Sequence, residues 1–99
     1  FMQCMHLSKY RTKDFLLISG DDAFTLPLVS VGFNGVISVV GNALPKPFAE
    51  MVRIALNGDY AKAQKIHNSL LDITKNLFAE GNPAGVKAAL KILNVIAFN

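Results

Sequence analysis

Residues 16–27 read LLISGDDAFTLP, and the meaning of this stretch decides the fold. Phe15-Leu16-Leu17-Ile18 is a continuous apolar run that stops at Ser19-Gly20. A short run without alternation suits a strand buried on both faces. Thr25 to Val31 is apolar again and ends at Gly32. Asp22 or Thr25 can cap a helix there, and Pro27 then falls in its first turn, where a missing N–H costs nothing. Gly32 supplies a C-terminal stop, and Phe33-Asn34-Gly35 a turn. Val36-Ile37-Ser38-Val39-Val40 is a second, β-branched run, closed by Gly41-Asn42. Strand, helix, strand with two apolar strands is the pattern of a right-handed βαβ unit with a parallel sheet. The strand ends, Ser19-Gly20 and Val40-Gly41, then open on one rim. In α/β folds that rim carries the ligand site.

Outside this unit the period changes. Residues 1–9 read as the tail of a helix, and Arg11 to Asp14 as a polar connector. Phe48, Met51, Val52, Ala55 and Leu56 share one helical face, entered through Pro45 and Pro47. Asn57-Gly58-Asp59 breaks that helix. Tyr60, Ala63, Ile66 or His67, Leu70, Ile73 and Leu77 mark a longer one, broken by Glu80-Gly81-Asn82-Pro83. Val86, Ala89, Leu90 and Leu93 mark a third. The reading is a βα part followed, from residue 44, by a helical part.

The bulk numbers limit the function. The chain has 99 residues, 52% of them hydrophobic, and a net charge of +3. One domain at most is expected, and so much apolar content in a short chain implies packing against more protein. Lys9-Arg11-Lys13 is the one basic cluster. No recognition motif accompanies it, so it reads as a solvated connector and no nucleic-acid partner is expected. The single cysteine, Cys4, excludes an internal disulfide framework and fits a reducing compartment. Beside Met2 and Met5 it reads as a structural thiol. No apolar run reaches membrane-spanning length, and no signal-peptide pattern occurs, so no membrane partner is expected. The chain starts with Phe1, so residue 1 is not expected to be the natural start.

Gly20-Asp21-Asp22 admits two chemistries. Polymerases carry a GDD turn whose carboxylates bind metal, but that turn joins antiparallel strands and needs a third carboxylate. Here a helix is expected downstream and no acidic cluster lies near. The favoured reading is that one aspartate caps the helix and both complement its positive end. Gly20 then matters more than the acids, because a residue without Cβ lets a ligand approach the backbone. His6 and His67 have no partner at ligand spacing and read as surface or interface residues. Asn42 and Asn82 read as turn residues. NGDYAKAQKIHNSLL, residues 57–71, has the look of half a helical repeat, but it occurs once, so an antiparallel helix pair is the better reading. There is no Walker loop, GxGxxG, HExxH or GxSxG.

Four pieces in order carry a resemblance: Ser19-Gly20-Asp21-Asp22, Gly35-Val36-Ile37-Ser38-Val39, Asn42-Ala43-Leu44-Pro45-Lys46, and Asn82-Pro83 with Val86-Lys87-Ala88-Ala89. Together they make the chain closely similar to the dihydrodipicolinate synthase family, the lysine-pathway branch of the N-acetylneuraminate lyase superfamily. The resemblance implies a cytoplasmic, homotetrameric (β/α)8 TIM barrel with a C-terminal helical domain. It implies a reaction, in lysine and diaminopimelate biosynthesis, that condenses pyruvate with aspartate semialdehyde through a Schiff base on a lysine. No cofactor and no metal are implied. A (β/α)8 barrel needs roughly 250 residues, so the chain would hold only its last two strands and helices, with Phe15–Gly20 as the seventh strand and Val36–Val40 as the eighth. Residues from about 45 onward would be the last barrel helix and the start of the helical domain, so that 1–57 would belong to the barrel and 58–99 to the helical domain.

The departures are as informative. The family's Schiff-base lysine would lie shortly upstream of Phe1, and its proton-relay threonines and tyrosines further upstream. Lys46 and Lys87 resemble scaffold positions. No catalytic residue is therefore expected in these 99 residues, and the piece alone is expected to be inactive. Two substrate-binding positions carry over: Gly20, at the tip of the seventh strand, and Ile37, whose carbonyl would face the pyruvate-derived group. Both act through backbone. Phe33-Asn34 replaces a more glycine-rich turn, at the end away from the site. The alternatives are a sister lyase acting on N-acetylneuraminate or a keto-sugar acid, and a non-catalytic interaction module.

Overall fold

A computed structural model describes residues 1–79 and 81–94. Helix α1 spans Met2–Tyr10, strand β1 Ile18–Ser19, helix α2 Thr25–Ser30 and strand β2 Gly35–Val36. Helices α3 (Val40–Ala43), α4 (Pro45–Leu56), α5 (Tyr60–Phe78) and α6 (Ala84–Ile92) follow. The two strands pair in parallel, Ile18 with Gly35 and Ser19 with Val36. The βαβ order expected from the sequence is therefore present. Glu80, assigned to the break before the last helix, lies outside the described residues, as do residues 95–99.

Both strands are shorter than the apolar runs suggested, and β1 is not buried on both faces. Leu17 and Ser19 are buried, whereas Phe15, Leu16 and Ile18 are exposed. Alternate residues of a strand face opposite sides, and among the described residues only one side is covered. On that side Leu17 packs with Leu28 and Phe33, and Cys4 of α1 lies half-buried against this cluster. Asn34 fixes the near end of the strand pair: its Oδ1 accepts from the Leu17 N–H at 3.1 Å and from Arg11 Nη1 at 2.9 Å.

The second strand was expected to run to Val40. It ends at Val36, and Val40, with Gly41 and Asn42, belongs to α3. The reason is a side chain distant in sequence. The Asp22 carboxylate accepts from the N–H groups of Val39 (3.1 Å) and Val40 (3.4 Å). Those donors are capped, so the chain turns into a helix rather than continuing the ladder. Val40 is still fully buried, but in the helical core.

That core joins Leu26 and Val29 of α2 and Val40 to Phe48, Met51 and Ala55 of α4 and Ala63, Leu70 and Leu77 of α5. The α4 and α5 members are period-3.6 positions of the sequence, but three such positions, Leu56, Tyr60 and Leu93, are not buried; Leu93 lies just past the end of α6. Leu56 and Tyr60 are exposed, because α4 ends at Leu56 and α5 begins only at Tyr60, so both lie at the turn between them. Thr74, unforeseen, is buried, its hydroxyl donating to the Leu70 carbonyl at 2.7 Å. Asp59 caps α5, accepting from the Lys62 N–H. Helix α6 rests on α5 through Gly85, where a Cβ would collide with the Leu77 backbone.

Candidate functional site

The rim begins where the ladder ends. Gly20 and Ile37 are each the first residue past a strand, on neighbouring parallel chains. The Ile37 N–H donates to the Ser19 carbonyl at 3.0 Å, which sets the two tips side by side. Ile37 is 79% exposed. Among the described residues no donor is bonded to its carbonyl oxygen. Gly20 is exposed, its φ lies outside the left-handed region, and a Cβ there would meet nothing within 4 Å. Among the described residues, neither backbone conformation nor packing requires a glycine at this position.

Two clefts meet at Gly20. One, of about 480 Å³, runs under Phe1, Cys4, Leu16, Ile18 and Phe24. The other, of about 530 Å³, separates Gly20 and Asp21 from Thr74, Lys75 and Phe78 on α5. The uncovered side chains of Leu16, Ile18 and Ile37 add an apolar surface beside the tips.

The two aspartates divide their work, which corrects the expectation that both serve the helix following them. Asp21 does so: its carboxylate accepts from the Ala23 N–H at 3.0 Å and caps the 3₁₀ turn Asp22–Phe24 that leads into α2. Its main chain is held by the Ser19 hydroxyl, which accepts from the Asp21 N–H, and by the Thr25 hydroxyl, which donates to its carbonyl. Asp22 is only 4% exposed and reaches instead to the other strand tip, where the Ser38 hydroxyl joins Val39 and Val40 as a donor. The Ser38 hydroxyl in turn accepts from the Gly41 N–H at 2.8 Å. This link escaped the sequence reading. Ser38, a polar residue inside an apolar run and three residues before the N–H it accepts, was the available signal of a cap.

The remaining candidates sit apart from the rim. Asn42 donates to the Ser38 and Val39 carbonyls and serves its own turn. His6 is exposed on α1, stacked on Tyr10. His67 is half-buried on α5, and burial lowers its pKa below the ordinary 6.5. Lys46 and Lys87 are exposed on α4 and α6. Among the described residues no three His, Cys, Asp or Glu side chains gather as metal ligands. No described helix is long and apolar enough to cross a membrane.

A parallel βαβ unit with a helical flank defines a chain of the α/β class. Residues 1–99 match the Dihydrodipicolinate synthetase family, and the chain belongs to it. It is 49% identical over 88 residues to the 4-hydroxy-tetrahydrodipicolinate synthase of Phocaeicola vulgatus, a match covering 89% of this chain and 30% of that protein. With the synthase of Koribacter versatilis it shares 45% over 97 residues, 98% of this chain and 32% of the other. The crystal structure of dihydrodipicolinate synthase from Aquifex aeolicus superposes with a TM-score of 0.94 at 39% identity, covering 99% of this chain and 33% of that one. The chain thus spans about a third of the length of the relatives it matches.

Proposed function

We propose that the chain serves as the C-terminal part of a class I lyase that condenses pyruvate with aspartate semialdehyde on the route to diaminopimelate and lysine. Residues 1–57 supply the last two strands of a (β/α)8 barrel, and 58–99 begin its helical domain. The parent is a cytoplasmic homotetramer. A lysine upstream of Phe1 adds its amine to the keto carbon of pyruvate, and water leaves as the imine forms. Loss of a methyl proton gives the enamine, which attacks the aldehyde carbon. Gly20 and Ile37 bind the pyruvate-derived group: Gly20 by leaving room, Ile37 by presenting its carbonyl as an acceptor that orients the adduct.

The observation that carries this reading is the pair of strand tips. Among the described residues Gly20 has no packing reason to be glycine, and the Ile37 carbonyl beside it has no partner. Both facts are accounted for by a ligand at the rim. The uncovered apolar side of the sheet is likewise accounted for by six further barrel strands.

The test is reduction of the imine. The longer protein carrying this segment, incubated with pyruvate and borohydride, gains one pyruvyl adduct per chain by mass spectrometry. The 99 residues alone gain none. A stoichiometric adduct on any lysine of the short chain, or none on the long one, overturns the reading.

A further inference from the structure

The β1–β2 ladder covers two residues on each strand, and its last rung is the bond from the Ile37 N–H to the Ser19 carbonyl. Beyond that rung the main chains are free of one another. The Ile37 carbonyl belongs to the peptide plane that continues into Ser38. On one flank this plane is held by the Ile37 N–H. On the other it is held by Ser38, whose hydroxyl donates to Asp22 Oδ1 while accepting from the Gly41 N–H. Asp22 Oδ2 takes the next two N–H groups, of Val39 and Val40. Its own backbone is fixed through Asp21, which Ser19 and Thr25 clamp to the end of β1.

Asp22 is an unusual choice for this task. A buried carboxylate is costly unless its oxygens are well hydrogen-bonded, and a local serine or asparagine would cap α3 as well. What a local cap cannot do is bridge the 16 to 18 residues between the two tips. We propose that Asp22 is a positioning residue, which holds the Ile37 carbonyl at a fixed place beside Gly20 and thereby orients the substrate adduct. This rests on the lyase reading above.

The experiment uses the longer protein and counts turnover per borohydride-trapped site, so misfolded chains drop out of the rate. Asp22→Ala is expected to trap pyruvate normally but to turn over about ten to a hundredfold more slowly per site, the range for a catalytic contact displaced by about 1 Å. Asp22→Asn, which keeps an acceptor for the N–H groups and a donor for Ser38, recovers most of that loss. Ser38→Ala lies between the two and serves if Asp22→Ala does not fold. Turnover per site within twofold of the parent in both Asp22→Ala and Ser38→Ala overturns the proposal, as does unchanged amide-exchange protection at Val39 to Gly41. If the parent itself traps no pyruvate, the lyase reading fails and the orienting role falls with it. The exchange data then still decide whether Asp22 anchors the tip.

Discussion

Replacing Gly20 by alanine separates a glycine kept for the fold from one kept for a ligand. The added methyl would touch nothing within 4 Å, and the backbone is not left-handed. Within the described residues the folded state therefore gains no clash and no strain. The unfolded state loses conformational freedom, so Gly20→Ala should stabilise the longer protein by about 0.4–1 kcal/mol. If Gly20 lines the substrate surface as proposed, the same methyl occupies space that the substrate adduct needs. One methyl's worth of misfit in a binding pocket costs about 1–3 kcal/mol, or roughly 10 to 200-fold in kcat/KM. Urea unfolding at unchanged slope measures the first effect, and steady-state kinetics with varied pyruvate the second. Gly32→Ala is the contrasting control: its φ is +111° and a Cβ there would run into the Ser8 hydroxyl, so it should destabilise. A loss of stability in Gly20→Ala would show that the fold requires the glycine. Full activity would remove Gly20 from the substrate surface. Either result refutes the reasoning.

Three further outcomes are expected. Met51→Ala, at a side chain 1% exposed in the centre of the helical core, should cost about 2–5 kcal/mol in chemical denaturation. Gly85→Ala drives a methyl into the Leu77 backbone and should cost about 1–3 kcal/mol, with amide exchange rising first in α6. His67 sits in a cleft with Leu26, Pro27 and Tyr60, and its lowered pKa means that below pH 6.5 the unfolded chain binds more protons than the folded one. Its contribution is thus complete above pH 6.5 and fades as the pH falls through the depressed folded value. The melting temperature should drop over that window, and His67→Gln should flatten the drop.

The helices were the most legible part of the sequence, because each buries one stripe whose spacing is set by its own geometry. Phe48, Met51, Ala55, Ala63, Leu70 and Leu77 could be named from period alone, and all are buried. The strands were legible in order but not in length. An apolar run records how often a residue meets other apolar groups, not whether its neighbour is a strand or a helix. Val40 is apolar because it enters the helical core, not because it continues β2. Leu16 and Ile18 are apolar although both are left exposed by the described residues. Gly20 and Ile37 were proposed as site positions through a family resemblance and through the rule that strand ends make the rim; what the structure shows is that both sit side by side past the strand ends. The Asp22 link was not found, since a contact across 16 residues leaves no periodic trace and both partners had plausible local roles.

The strand pair is short, yet each end carries a side-chain pin. Asn34 binds Leu17 and Arg11 at one end, and Asp22 binds Ser38 and the two residues after it at the other. Two rungs of ladder alone would tolerate slippage. A shift of one strand by one residue would have to break both pins together, and would turn Leu17 toward the uncovered side. Mispaired forms thus become costly as a set rather than one bond at a time. Fidelity of assembly in this α/β unit is written into two side chains that belong to neither strand.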